Sequence, residues 1–198
     1  MRIYLHMNVD SFTNTYLVAD EESRCALIID PGKPTSDVLK QIEIGDYRLC
    51  ALLITHNHAE NTRGIATLKR IYDLPVYAAA NDIASSAETT IQGDGVLRFG
   101  GITVGYFSVP GHTTDSLVYK IGSALFTGDV ISAGEIGETT SRPARDLLCR
   151  GIRAKIFCQS DDCVIMAGRG PLTSVGAEKR FNMAACQTPP RESPFSGL

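Results

Sequence analysis

"THNHAENTRG", residues 55–64, begins on the last residue of the apolar run "CALLIT", residues 50–55. It carries two histidines, His56 and His58, with Glu60 close behind. In extended chain, alternate side chains leave on the same side, so both imidazoles are presented together. On a helix the same spacing would point them apart. The pattern is half of a metal site. The residue after Glu60, however, is Asn61, whose amide is a poor ligand for a hard or borderline cation. The stretch therefore asks whether the chain holds two ions, one or none.

The same arrangement recurs downstream. "YFSV" runs into "PGHT" and His112, "ALFT" into "GD" and Asp129, and "CVIM" into "AGRG" and Arg169. Four apolar runs each stop and offer polar groups from the loop that follows, which is where rigid scaffolds hold binding residues. Three of the four histidines sit at these ends. The fourth, His6, lies in the alternating run "RIYLHM" and reads as a partly buried or surface strand residue. Any one of the three alone reads as a hydrogen-bonded loop histidine. Their coincidence with Asp129 points to a metal site, and three imidazoles with a carboxylate suit zinc, with iron or manganese as alternatives.

The remaining pattern is strands punctuated by helices. "TYLVAD" and "CALIID" read as strands closed by the turn "PGKP". "TSDVLKQIEI" reads as a helix capped by Thr35 or Ser36, with Val38, Leu39 and Ile42 on one face. "CALLIT" suits a strand buried on both faces. "ENTRGIATLKRIYD" is helical by period, turning Ile65, Leu68 and Ile71 or Tyr72 inward. "PVYAAA" is a further strand, "VLRFGGITVGYFSVPGH" and "SLVYKIGSALFTGD" are strand pairs, and "DCVIMAGRG" is a short strand. "TSVGAEKRFN" is a short helix with Thr173 as its expected cap. The tail "QTPPRESPFSGL", residues 187–198, has little to bury and is expected to be disordered. No repeat or linker divides the rest, so residues 1–186 read as one domain of packed sheets with outer helices.

Composition narrows the function classes. A net charge of -3 argues against nucleic acid as the main partner, and a small-molecule substrate is expected instead. No apolar run is long enough to span a bilayer. The opening "MRIYLHMNVDSF" has no secretory apolar core, because Asn8, Asp10 and Ser11 interrupt it, so a cytoplasmic location is expected. Nothing in the sequence specifies an oligomeric state. The six cysteines are scattered with no CxxC pair, and Cys25 and Cys50, both in strand-like runs, read as small core residues rather than as a zinc or disulfide framework.

Taken in order, these segments resemble the metallo-β-lactamase-fold hydrolases, in particular the small, single-domain glyoxalase II-like group. "SFTNTYLVAD" and "LIIDPG" resemble the family's opening hairpin, and "THNHAENTRG" its signature T-H-x-H-x-D-H-x-G-G. "VPGHTTDS" resembles P-G-H-T-x-x-S, and "LFTGDVISAGEIGETT" the segment with the bridging aspartate. "AGRGPLTSVGAEKRFN" resembles P-G-H-G-P-x-T-x-x-x-E-K-R-x-N. The resemblance spans about residues 1–183 and implies an α+β fold, a four-layer αββα sandwich, with the metal site at one edge between the sheets.

The resemblance also implies a divided site. The family's first metal position uses the residues that align with His56, His58 and His112, all present here, and the shared aspartate is kept as Asp129. The second position aligns with Glu60, Asn61 and Arg169, so two imidazoles are gone. Arg63 replaces a signature glycine, and Glu138 the arginine of I-G-R-T. A guanidinium cannot donate a lone pair and would repel a second dication while offering Asp129 a partner; the alternative is that Arg169 points to solvent. One zinc ion per chain is therefore expected. The resemblance implies hydrolysis of acylglutathione-type thioesters by one metal-activated water, with Asp129 in the catalytic site and Glu60 as its general base if it reaches. A second possibility is a persulfide dioxygenase-like iron enzyme using His56, His112 and Asp129 as two histidines and one carboxylate. A third is a degenerate, non-catalytic family member.

Overall fold

The computed structural model describes residues 1–79 and 89–186. The chain opens with β1 (Arg2–Asn8), β2 (Thr13–Ala19) and β3 (Cys25–Ile29), joined antiparallel. Helix α1 (Ser36–Ile44) then crosses to β4 (Arg48–Leu53), followed by α2 (Ala59–Thr62), α3 (Ile65–Ile71), β5 (Val76–Ala78) and β6 (Thr89–Thr90). The second half contains β7 (Gly95–Phe99), β8 (Ile102–Ser108), β9 (Leu117–Ile121) and β10 (Ala124–Gly128). A small hairpin, β11 (Ile131–Ser132) with β12 (Glu135–Ile136), precedes α4 (Arg142–Gly151), which runs into a π-helical segment, Ile152–Ile156. β13 (Val164–Ala167), β14 (Thr173–Ser174), α5 (Val175–Phe181) and α6 (Met183–Cys186) complete it. Among the described residues there are two six-stranded sheets, ordered β1-β2-β3-β4-β5-β6 and β14-β13-β10-β9-β8-β7.

Strand alternation explains the layering. In β2, Leu17 and Ala19 face outward to Val38 and Ile42 of α1 and Ile65 and Leu68 of α3. Their neighbours Tyr16 and Val18 face the other way, into the space between the sheets, where Leu27 and Leu53 meet Val104, Tyr119 and Phe126. The second sheet repeats the device: Val118, Leu125 and Ile165 leave its far face and pack on Leu148, Ile152 and Val175. Each sheet is apolar on both faces, so each needs a helical layer outside it. Three apolar cores thus separate four layers, the αββα sandwich expected from the sequence.

The structure corrects some local expectations and decides between the alternatives left open in others. The helix expected through "ENTRGIATLKRIYD" is two short ones, α2 and α3, parted at Arg63 and Gly64. The chain presses there against the loop after β3: a Cβ on Gly64 would stand 2.5 Å from Gly32 O and 2.9 Å from Pro34 Cδ. Tyr72 packs against the core while Ile71 is exposed. The cap of α5 is Ser174, whose hydroxyl accepts from Ala177 N–H, while Thr173 belongs to β14. Thr35 rather than Ser36 caps α1. Cys25 and Cys50 are disulfide-bonded and are not two independent core thiols. Their sequence separation of 25 hides that β3 and β4 are neighbouring parallel strands, with a register shift at Ala26/Leu27 that brings Cys50 round to Cys25. Helix α4, not expected from the sequence, starts on an N-cap at Ser141 with a proline in its first turn. The tail expected to be disordered lies outside the described residues.

Phe126 is 1% exposed between the sheets, with its ring edge-on to Tyr16 at 5.2 Å, whereas Phe181 is 69% exposed. Phe126→Ala should lower unfolding free energy by about 3–5 kcal/mol through lost contacts and a cavity. Phe181→Ala should stay within about 0.5 kcal/mol of the parent. Urea unfolding of both variants checks this, and equal losses would contradict the assignment of the inter-sheet core.

Candidate metal centre

The centre is anchored at the ends of β3 and β4. Asp30, buried just after β3, accepts from Thr55 N–H at 2.8 Å and from the Thr55 hydroxyl at 2.7 Å. Burial pushes its carboxyl up to about 7, with the charge of Asp129 adding to the shift and the two Thr55 donors opposing it. His56 Nδ1 lies 3.0 Å from Thr55 Oγ1. The hydroxyl proton is committed to Asp30, so the imidazole is the donor of this contact and its Nε2 keeps a free lone pair. Burial, against the attraction of Asp129, drives the His56 pKa down to about 4, which makes the ring a neutral ligand near pH 7. Gly128, at φ +50°, lets the end of β10 pass over this anchor, where a Cβ would collide with Thr55 Oγ1.

The other side chains converge on His56. Its Nε2 is 2.9 Å from His58 Nδ1 and 3.8 Å from Asp129 Oδ2. His112 donates from Nδ1 to Glu138 O at 2.7 Å, which turns its Nε2 inward, 3.9 Å from Asp129 Oδ2. Candidate ligand atoms of His56, His58, His112 and Asp129 all lie within 4.8 Å of one another. A tetrahedral ion with bonds of about 2.0–2.1 Å needs ligand atoms roughly 3.3 Å apart, and the observed spacings bracket that value. Among the described residues, buried His112 Nε2 and Asp129 Oδ1 have no hydrogen-bond partner. Buried polar atoms are ordinarily satisfied, so the donor set and its orphaned atoms fit a metal ion. His58, His112 and Asp129 line a cavity of about 450 Å³, walled also by Ser132, Glu135, Glu138 and Arg169.

The residues aligned with the second position behave differently. Arg169 does not turn away to solvent: its Nε donates to Asp129 Oδ2 at 3.0 Å and its Nη1 to Ser11 O at 3.2 Å. The contact to Asp129 is single rather than two-pronged. Asn61 is buried with Nδ2 3.2 Å from both ring nitrogens of His56. Glu60 is not brought into the ligand cluster. It sits in the first turn of α2, where its own backbone N–H, ahead of the nearby Arg169 and Arg63, holds its carboxyl below its usual value. Asp30 and Thr55 are supports that the sequence reading misses, although "CALIID" also ends an apolar run on an acid.

Comparison with known proteins agrees with this geometry. The metallo-beta-lactamase superfamily profile matches residues 9–161. Hydroxyacylglutathione hydrolase GloC of Haemophilus influenzae is 29% identical over 193 residues, covering 85% of this chain and 91% of that protein. A hydroxyacylglutathione hydrolase of Yersinia enterocolitica is 34% identical over 132 residues, which is 65% of this chain and 52% of that longer protein. The crystal structure of ETHE1 from Myxococcus xanthus superposes with a TM-score of 0.87 at 28% identity, covering 95% of this chain and 86% of that one.

Thr55→Val removes the hydroxyl that ties His56 to Asp30 while keeping the side chain's shape. It should weaken zinc binding by about 10–100-fold, the usual cost of losing an outer-shell support. Competition with a chromophoric chelator measures this, and unchanged affinity would show that the Asp30–Thr55 anchor does not orient His56.

Proposed function

This chain belongs to the metallo-β-lactamase superfamily, and we propose that it is a metal-dependent hydrolase of thioesters of the acylglutathione type. The observation that carries the reading is the convergence of His56, His58, His112 and Asp129, the last three of which line an open cavity. The activity for which the Haemophilus relative is named supports the substrate class. In this reading the three imidazoles and Asp129 hold one zinc ion, with iron or manganese as alternative occupants.

When bound, the ion supplies Lewis acidity that polarises a carbonyl and makes a hydroxide nucleophile available near neutral pH. The chain's own residues do the rest. Thr55 and Glu138 O fix the tautomers of His56 and His112. Asp129 is held by Arg169, whose guanidinium places a permanent positive charge at the cavity wall. That charge favours the oxyanion that develops as a thioester carbonyl is attacked. Asp129 is thus both a ligand and the link between the ion and that charge.

A second reading is favoured by one specific feature, the nearness of Asp129 Oδ2 to both His56 and His112. Two histidines and one carboxylate suit mononuclear iron and thiol-dependent oxygen chemistry. One assay separates the two. The zinc-loaded protein should release thiol from an acylglutathione thioester, and His112→Ala should lower kcat/KM by more than the about 100-fold ceiling of outer-shell losses. Oxygen uptake with a glutathione persulfide by the iron-loaded protein, without thioester turnover, would replace the hydrolase reading. Inactivity in both assays would make the chain a non-catalytic family member.

A further inference from the structure

Behind the cavity wall lies a buried polar cluster that the functional reading does not use. Glu178 of α5 is 3% exposed and Asn182, just beyond it, 0%. Burying such groups costs free energy unless they are bonded. The Glu178 carboxylate accepts from Gly134 N–H at 3.0 Å, from the Thr173 hydroxyl at 2.7 Å and from Asn182 Nδ2 at 2.7 Å. Asn182 Nδ2 also donates to Glu135 O at 2.9 Å, and its Oδ1 accepts from Ala185 N–H at 3.1 Å. Gly134 and Glu135 belong to the turn and second strand of the β11–β12 hairpin. Two buried side chains, one within α5 and one at its C-cap, therefore grip a surface hairpin by its backbone.

That hairpin leads straight to the metal centre. Immediately after β12, Gly137 passes so close to Asp129 O and to His112 that no Cβ would fit there. The next residue, Glu138, supplies the carbonyl that receives His112 Nδ1–H at 2.7 Å. A shift of the hairpin moves this carbonyl and frees the His112 ring to rotate or to change tautomer.

We propose that Glu178 and Asn182 are positioning residues for the metal centre: through the β11–β12 hairpin they set Glu138 O, and Glu138 O aims His112 Nε2 at the ion. The inference rests on His112 being a metal ligand. It assigns the buried polar pair a task other than capping its own helix, and it makes the cavity wall and the ligand geometry parts of one rigid unit.

The test compares the full chain with Asn182→Ala and with the swap Glu178→Gln/Asn182→Asp. In the swap, the introduced glutamine amide can donate to the introduced carboxylate, so the contact within the α5–α6 region survives and net charge is unchanged. The donor to Glu135 O is lost in both variants. Zinc affinity, by chelator competition, should fall about tenfold in both, the low end for outer-shell supports, while the swap should recover part of the thermal stability lost in Asn182→Ala. Ring-nitrogen NMR of the metal-free protein should show His112 protonated at Nδ1 in the parent and a tautomer mixture in both variants. If affinity and the His112 signals return to parent values in the swap along with stability, the pair is merely structural and the proposal fails. If Asn182→Ala does not fold, the swap alone decides. If the parent itself takes up no zinc, the metal reading fails, and the His112 tautomer in the metal-free swap still decides the clamp.

Discussion

The ion pair between Arg169 and Asp129, 3.0 Å long, is the contact on which the rest of the site depends. Asp129 stands at the end of β10 with one oxygen facing two imidazoles and the other buried and unpartnered. A lone carboxylate there would face the imidazoles without a fixed compensating charge. Arg169 supplies one from the end of β13, and its second bond, to Ser11 O, ties in the β1–β2 turn. The Thr13–Arg169 bridge and the Asn14 N–H to Gly168 O bond join the same two segments. The guanidinium thus couples one sheet to the other at the edge where the cluster lies. Being permanently charged and without a lone pair, it also opposes a second cation beside Asp129.

The rest of the fold serves to bring four strand ends to that edge. β4 delivers Thr55 and His56, β10 delivers Asp129 and β13 delivers Arg169, while the loop after β8 delivers His112. The segments approach closely enough that glycine is required at Gly128 and Gly137, where a side chain would strike Thr55 or the Asp129 backbone. Rigidity comes from two supports, buried Asp30 under His56 and the backbone carbonyl of Glu138 beside His112. Each support fixes a tautomer, which is how an outer shell tunes a metal ligand.

Much of this was legible in the sequence because both signals are local. Apolar runs ending in His56, His112, Asp129 and Arg169 identify the strand ends, strand periodicity with helices between them suggests packed sheets with outer helices, and the family resemblance of the ordered motifs implies the four-layer order. What was hidden depends on distance in the chain. The Cys25–Cys50 bond requires knowing that β3 and β4 are parallel neighbours. The break between α2 and α3 comes from a loop some thirty residues earlier, at Gly32 and Pro34. That Glu60 meets its own backbone N–H in the first turn of α2 is likewise set by the fold. Glu178 and Asn182 lie in a segment whose resemblance was visible but whose hydrogen bonds to the cavity hairpin were not.

The central claim is that a guanidinium takes the place of a second ion, leaving one complete set of ligands. Calorimetric titration of zinc into the metal-free protein tests it most directly, run beside the double variant Asn61→His/Arg169→His. The account predicts one tight equivalent for the parent and a second for the double variant, in which two imidazoles return and the fixed charge is removed. Two tight equivalents in the parent would contradict it.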